Sequence, residues 1–268
     1  SLKEIKTGVI GTLGSGFPSN LNSMENTTPD ALELHRLLAE FKSAGASAVA
    51  MEVSSHGLVQ GRVNGVAFDC ALFTNLTRDH LDYHGSMAAY AQAKARLFDA
   101  PGLESAVLNM DDAFGVRLAR RLAARGVRTI GYGISSSGKL AGNTNESICA
   151  LEPDSDRIRI TSSWGEASAT LPQLGRFNVA NALGVLGCLV AKGIAFEEGV
   201  KLLETLPAVP GRMQRIAEQP GRPLVVVDYA HTPDALDKVL RARRPVAQAR
   251  GGRLVVVFGA GGGRDASK

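Results

Sequence analysis

A chain of 268 residues, 44% hydrophobic and 21% charged, has the make-up of an ordinary globular protein and length enough for two domains. Its 30 Lys and Arg against 26 Asp and Glu leave a formal charge of +4, scattered rather than striped; with aromatics at 5% and Trp164 the single tryptophan, there is no stacking platform for nucleic acid. No run of the roughly 18 apolar residues that a membrane helix needs is present, no signal-peptide pattern opens the chain, and Cys70, Cys149 and Cys188 are far apart and form no C-x-x-C pair, which argues against a disulfide framework or zinc knuckle and for a reducing, cytoplasmic compartment.

Short apolar runs alternate with helical patterns. Residues 46–53, 70–74, 106–110 and 128–132 read as buried strands. Leu34, Leu38 and Phe41 recur at helical spacing after Thr28-Pro29-Asp30, where Thr28 is the expected N-cap and Pro29 suits the first helical position. Further helices are expected over 87–98 and 113–124. Such alternation predicts parallel strands joined by right-handed crossovers.

From 135 to 171 the pattern changes. Ser, Gly and Asn dominate first, then 157–161 and 167–171 alternate polar and apolar residues as antiparallel strands do. Helical patterns resume over 177–192 and 196–206, and the Pro-rich stretch from Leu206 to Gly211 makes a natural linker. Beyond it a strand at 224–227, a helix from Pro233 and a strand at 254–258 begin a second α/β unit. The fold class is therefore α/β: a mostly parallel sheet with flanking helices and a small antiparallel β subdomain in residues 1–210, then the start of a second Rossmann-like domain in 211–268. The ends, Ser1 just before an apolar run and Lys268 just past a glycine-rich turn, read as those of a fragment.

The chemistry gathers between Met51 and Lys94. Glu52 closes one apolar run, and Asp79-His80-x-Asp82-x-His84 follows another; polar residues just past strand ends are how an open α/β sheet builds a site at its carboxyl edge. The second cluster suits a metal site, since His with carboxylates holds zinc or manganese and Mg²⁺ takes oxygen ligands; a loop whose polar groups cap the strand is the plainer alternative. Ser54-Ser55-His56 lacks the glycines of a nucleophile elbow and reads as a helix cap, so a hydrolase is rejected. The segment from Gly133 to Lys139 imitates a phosphate loop, but Leu140 stands where Ser or Thr must hold Mg²⁺, and a surface turn is expected. Gly259-x-Gly261-Gly262-Gly263 follows an apolar run, yet Arg264 replaces the last glycine of a dinucleotide fingerprint, leaving at most some phosphate contact. By itself Lys94 is an ordinary helical lysine.

Six blocks in order carry a resemblance. They are Glu25-Asn26-Thr27-Thr28-Pro29; the stretch from Met51 through Ser54, Gln60 and Arg62; Phe73 to Gly85; Gly175-Arg176-Phe177-Asn178-Val179-Ala180-Asn181; Gly211-Arg212-Met213; and Asp228-Tyr229-Ala230-His231-Thr232-Pro233-Asp234-Ala235. Together they resemble the Mur ligase family, and within it the type that makes the UDP-N-acetylmuramoyl tripeptide. The resemblance implies an ATP-dependent amide ligase of peptidoglycan synthesis. ATP phosphorylates the D-Glu γ-carboxylate of UDP-N-acetylmuramoyl-L-alanyl-D-glutamate, and the amine of a diamino acid, meso-diaminopimelate before L-lysine, captures the acyl phosphate. It further implies that Asn26, Thr27, Thr28, Ser54, Gln60 and Arg62 hold the muramoyl peptide, and that Glu52 and His80 bind Mg²⁺. Lys94, carbamylated by CO₂, would help bind a second Mg²⁺, because a plain ammonium would repel the ion. Asn178, Asn181, Arg212, Asp228 and His231 would face ATP. A monomer is expected, without nucleic-acid or membrane partners. The family's phosphate loop, uridine-binding domain and amino-acid-reading motif have no counterpart here, so the chain alone is expected to be inactive. The alternatives are a non-catalytic nucleotide-sugar-binding fragment or paralogue and another ligase of the superfamily, such as a folylpolyglutamate synthetase.

Overall fold

The computed structural model describes residues 5–135, 137–138, 140, 142–151, 157–171, 175–207, 209–217, 222–231 and 233–259. In chain order the elements are β1 (Thr7–Gly11), β2 (Gly14–Phe17), β3 (Asn20–Asn22), α1 (Ala31–Ser43), β4 (Ala48–Met51), α2 (Ser55–Val59), β5 (Cys70–Phe73), α3 (Leu81–His84) and α4 (Met87–Ala95), which tightens into a 3₁₀ turn over Arg96–Asp99. There follow β6 (Ser105–Asn109), α5 (Ala113–Ala123), β7 (Arg128–Ile134), β8 (Glu146–Ala150), β9 (Arg157–Ser162), β10 (Gly165–Thr170), α6 (Arg176–Ala191), α7 (Phe196–Glu204), β11 (Gln214–Ala217), β12 (Val225–Val227) and α8 (Pro233–Ala249). The chain divides into two compact units, residues 1–71 with 84–103, and residues 72–83 with 104–268.

The first unit is built on a four-stranded sheet of order β3-β2-β1-β4. Its first three strands form an antiparallel meander, while β1 and β4 run parallel with Val9 opposite Ala50. Helix α1 packs Leu34, Leu37 and Phe41 into a core with Ile10, Leu58 and Val63. The ring of Phe41 lies where a side chain at Gly8 would stand: a Cβ there would sit 2.6 Å from it. Asp30, not Thr28, caps α1, its carboxylate accepting from Glu33 N at 3.0 Å. Pro29 thus precedes the helix instead of opening it, because the Thr28 side chain is buried and spent elsewhere.

The second unit holds a six-stranded sheet of order β10-β9-β8-β7-β6-β5. Strands β6, β7 and β8 are parallel, and β9 and β10 extend the same sheet antiparallel. Strand β8 was hidden in the sequence by its Ser- and Asn-rich flank. Helix α6 lies close on the sheet because Gly187 admits Val107: a Cβ there would stand 2.6 Å from the valine. The pair β11-β12 is antiparallel and is followed by α8. The expected strand at 254–258 does not form. Among the described residues it has no ladder partner, and Val257 and Phe258 are 95% and 75% exposed; without a neighbour to bond its amides, an apolar run is not a strand. No helix among the described residues is long and apolar enough to cross a membrane.

Candidate functional site

In the first unit the site begins where β4 ends. Glu52 N still donates to Ile10 O at 2.8 Å, extending the ladder by one residue before the chain turns. The exposed Glu52 carboxylate is held from one side: Oε2 accepts from Thr12 Oγ1 at 2.8 Å and from Thr12 N at 3.2 Å. Among the described residues its Oε1 accepts no hydrogen bond. Ser54 caps α2, its Oγ accepting from Gly57 N at 3.0 Å, as its sequence context predicted.

Thr28 ties these residues together. Its hydroxyl donates to Glu52 O and accepts from Ser54 N, both at 2.9 Å, and it is 1% exposed. Arg62 then donates through a guanidinium N–H to Thr28 O at 2.6 Å and through Nε to Gln60 Oε1 at 2.8 Å. Thr27 and Thr12 bring their hydroxyls within 3.1 Å, and Asn26 is exposed on the same loop. Thr27, Thr28, Glu52, Ser54, Gln60 and Arg62 are therefore linked by one hydrogen-bond web, through Thr12.

Further along this unit, Lys94 sits half-buried in the last turn of α4, its Nζ 5.2 Å from the centroid of the Tyr90 ring. His84 stacks on the same ring at 5.1 Å, and its Nε2 lies 2.9 Å from Ser55 Oγ. The helix that carries Lys94 is thus tied through Tyr90 and His84 to the start of α2.

In the second unit Asp79 and His80 form a tight polar turn. His80 has a left-handed backbone, φ 54°, and its N–H donates to Asp79 Oδ1 at 2.9 Å. Asp79 Oδ2 is 3.5 Å from His80 Nε2 and 3.9 Å from His231 Nε2. Asn178 is buried in the first turn of α6 and Asn181 is exposed one turn on. The neighbouring Arg176 donates to Ile134 O at 3.1 Å and approaches Asp111 at 3.6 Å. Asp228 spans two segments, Oδ2 accepting from Met213 N at 2.9 Å and Oδ1 from Ala230 N at 2.8 Å. The guanidinium of Arg212 lies 5.4 Å from the Tyr229 ring, and His231 Nδ1 is 3.0 Å from Tyr229 O.

Among the described residues no three His, Cys, Asp or Glu side chains gather as a metal-ligand set. Of the run from Asp79 to His84, Asp82 is exposed and His84 is engaged with Ser55. A cation bound through few protein oxygens is the kind the residues fit: Glu52 offers an exposed carboxylate with one oxygen fixed and the other open, suited to Mg²⁺, which keeps much of its water. The false phosphate loop ends β7 in a turn at Ser137 and Gly138, while its Lys139 lies outside the described residues, as do Thr232 and the glycines at 261–263. Sequence reasoning missed Thr12 and the His84–Ser55 pair. The signal for Thr12 was its place just past β1, as Glu52 stands just past the parallel neighbour β4.

Comparison with known proteins gives a consistent answer. The family described as Mur ligase middle domain matches residues 1–189, and that described as Mur ligase, glutamate ligase domain matches 211–268. The UDP-N-acetylmuramoyl-L-alanyl-D-glutamate--2,6-diaminopimelate ligase of Ralstonia nicotianae is 51% identical over 267 residues, which are 98% of this chain and 52% of that protein. The protein of the same name from Pseudomonas aeruginosa is 49% identical over 263 residues, again 98% of this chain and 52% of its own. The chain thus spans about half the length of the curated relatives it matches. A solved structure of a ligase with that name superposes with a TM-score of 0.76 at 36% identity, covering 91% of this chain and 49% of the other.

Proposed function

The chain belongs to the Mur ligase family, and on that premise we propose that it is the central part of an ATP-dependent ligase joining meso-diaminopimelate to UDP-N-acetylmuramoyl-L-alanyl-D-glutamate. The observation that carries this is identity of about one half, over 98% of the chain, to proteins bearing that activity in their names. Residues 1–210 then form the ATPase domain and 211–268 the start of the ligand-binding domain, in a cytoplasmic monomer.

The reaction must bring together two anions, the γ-phosphate of ATP and the γ-carboxylate of D-Glu, before a neutral amine can attack the acyl phosphate. Mg²⁺ supplies the charge that lets them approach. Glu52 and His80 would hold it, and Lys94 would help hold a second Mg²⁺ once its amine has taken up CO₂, lost a proton and become an anionic carbamate. Gln60, Arg62, Ser54, Thr27 and Asn26 hold the muramoyl peptide. Thr28, whose hydroxyl is spent on Glu52 O and Ser54 N, serves by fixing the loop that carries them. Asn178, Asn181, Arg212 and His231 face the nucleotide, and Asp228 fixes the backbone at Met213 and Ala230, each next in sequence to Arg212 or His231.

The test is to incubate the full-length protein with Mg-ATP, the UDP-linked dipeptide and equal diaminopimelate and lysine, then weigh the product by mass spectrometry. A tripeptide mass names the amino acid. Bound dipeptide without product sinks the ligase reading in favour of a non-catalytic binder. Turnover of a folate substrate instead would favour the folylpolyglutamate alternative, against which the block from Ser54 to Arg62 speaks.

A further inference from the structure

We infer that Thr12 is a positioning residue that links the muramoyl-peptide contact at Thr27 to the metal-binding carboxylate of Glu52; the inference rests on the function proposed above. Thr12 Oγ1 lies 2.8 Å from Glu52 Oε2 and 3.1 Å from Thr27 Oγ1. A hydroxyl has one proton, and a carboxylate can only accept. The Thr12 proton is therefore given to Glu52, and in the Thr12–Thr27 pair Thr27 must be the donor. The direction of the relay is settled: Thr27 to Thr12 to Glu52.

Two consequences follow. Glu52 Oε2 receives both the hydroxyl and the backbone N–H of Thr12, which turns Oε1 outward and fixes the rotamer before any cation arrives. Thr27, its proton committed, can meet a ligand with its hydroxyl only as an acceptor, so it selects a donor group such as a peptide N–H of the substrate. Hydrogen bonds in a chain polarise one another, so charge at Glu52 strengthens the Thr27 end. Removing the central hydroxyl cuts both effects while leaving the backbone N–H of Thr12 in place.

The experiment measures binding of the UDP-linked muramoyl dipeptide by calorimetry, without ATP or metal, in the full-length protein and in Thr12→Val, Glu52→Gln and the double variant. Glu52→Gln is expected to weaken binding about threefold to tenfold, the scale of one ordinary hydrogen bond, and to have no further effect once Thr12 is Val. Thr12→Ser, which keeps the hydroxyl, should restore the coupling. Turnover should report the metal end: in Thr12→Val half-maximal activity requires about tenfold more Mg²⁺, with Thr12→Ser like the parent. An equal effect of Glu52→Gln in both backgrounds overturns the relay, as does a Thr12→Val variant of normal Mg²⁺ requirement. Thr12→Val that is unfolded while Thr12→Ser is indistinguishable from the parent moves the decision to Thr27→Val, which must then abolish the same coupling. Failure of the parent protein to bind the dipeptide removes the proposed function itself.

Discussion

The hydroxyl of Thr28 donates to the backbone carbonyl of Glu52 across 2.9 Å, although 24 residues separate them. The same oxygen accepts from Ser54 N, so one buried side chain sets the path of the chain on both sides of Glu52. Thr28→Val keeps the shape and deletes both bonds, leaving Glu52 O and Ser54 N without their partner. The expected cost is about 1–3 kcal/mol of stability, read by denaturant unfolding, with a fall in turnover larger than that of a surface substitution. A stability loss below a few tenths of a kcal/mol would contradict the pinning role.

His80 offers a test in which stability and activity separate. Its φ of 54° lies where glycine is at ease and other residues are strained. His80→Gly should therefore be more stable than His80→Ala by about 1 kcal/mol, while both lose ligase activity alike. Equal midpoints in parallel urea melts would mean that the turn relaxes at no cost.

Lys94 should respond to chemistry rather than to shape. Lys94→Ala in the full-length protein is expected to lower the rate by about a hundredfold or more, and a short carboxylate such as acetate should restore part of it. The Tyr90 ring beside Nζ would line the space the rescuing ion enters. Full activity without additive would remove the carbamate from the mechanism.

Tyr132 predicts an alkaline limit. It is 1% exposed, its hydroxyl donates to Phe73 O at 3.1 Å, and burial pushes the phenol well above its usual value of 10. The unfolded chain ionises near that value while the folded one keeps its proton. The contribution to stability is accordingly full below pH 10 and is lost as pH climbs from there towards the folded value. Tyr132→Phe should cost about 1 kcal/mol at neutral pH through the lost bond, and its stability should fall less steeply than the parent's between pH 9 and 11 in thermal melts. Identical slopes would mean that other groups govern the alkaline loss.

What was local was legible. Helices α1, α4, α5, α6 and α7 and strands β4 to β7, β9 and β10 lie within a few residues of where periodicity put them, because the spacing of apolar side chains is set by the element that buries them. The Ser54 cap was legible for the same reason, its partner Gly57 N being three residues away. The Thr28 cap was misjudged: both Thr28 and Asp30 are good capping residues, and the choice fell to Asp30 once the tertiary fold had claimed the threonine hydroxyl. The run at 254–258 has the composition of a strand but lacks among the described residues the neighbour that would make it one.

Read alone, the residues place the chain in the α/β class and in its family, and they single out Glu52, His80 and Lys94 as candidates. Which side chain holds Glu52 becomes visible in the three-dimensional fold alone. Thr12 reaches it across 40 residues because β1 and β4 lie side by side and parallel, so that the residues just past their ends meet. Periodicity and capping act over a turn or two of chain, whereas the partner of a polar side chain at a strand end is chosen by strand order, and strand order is settled by packing.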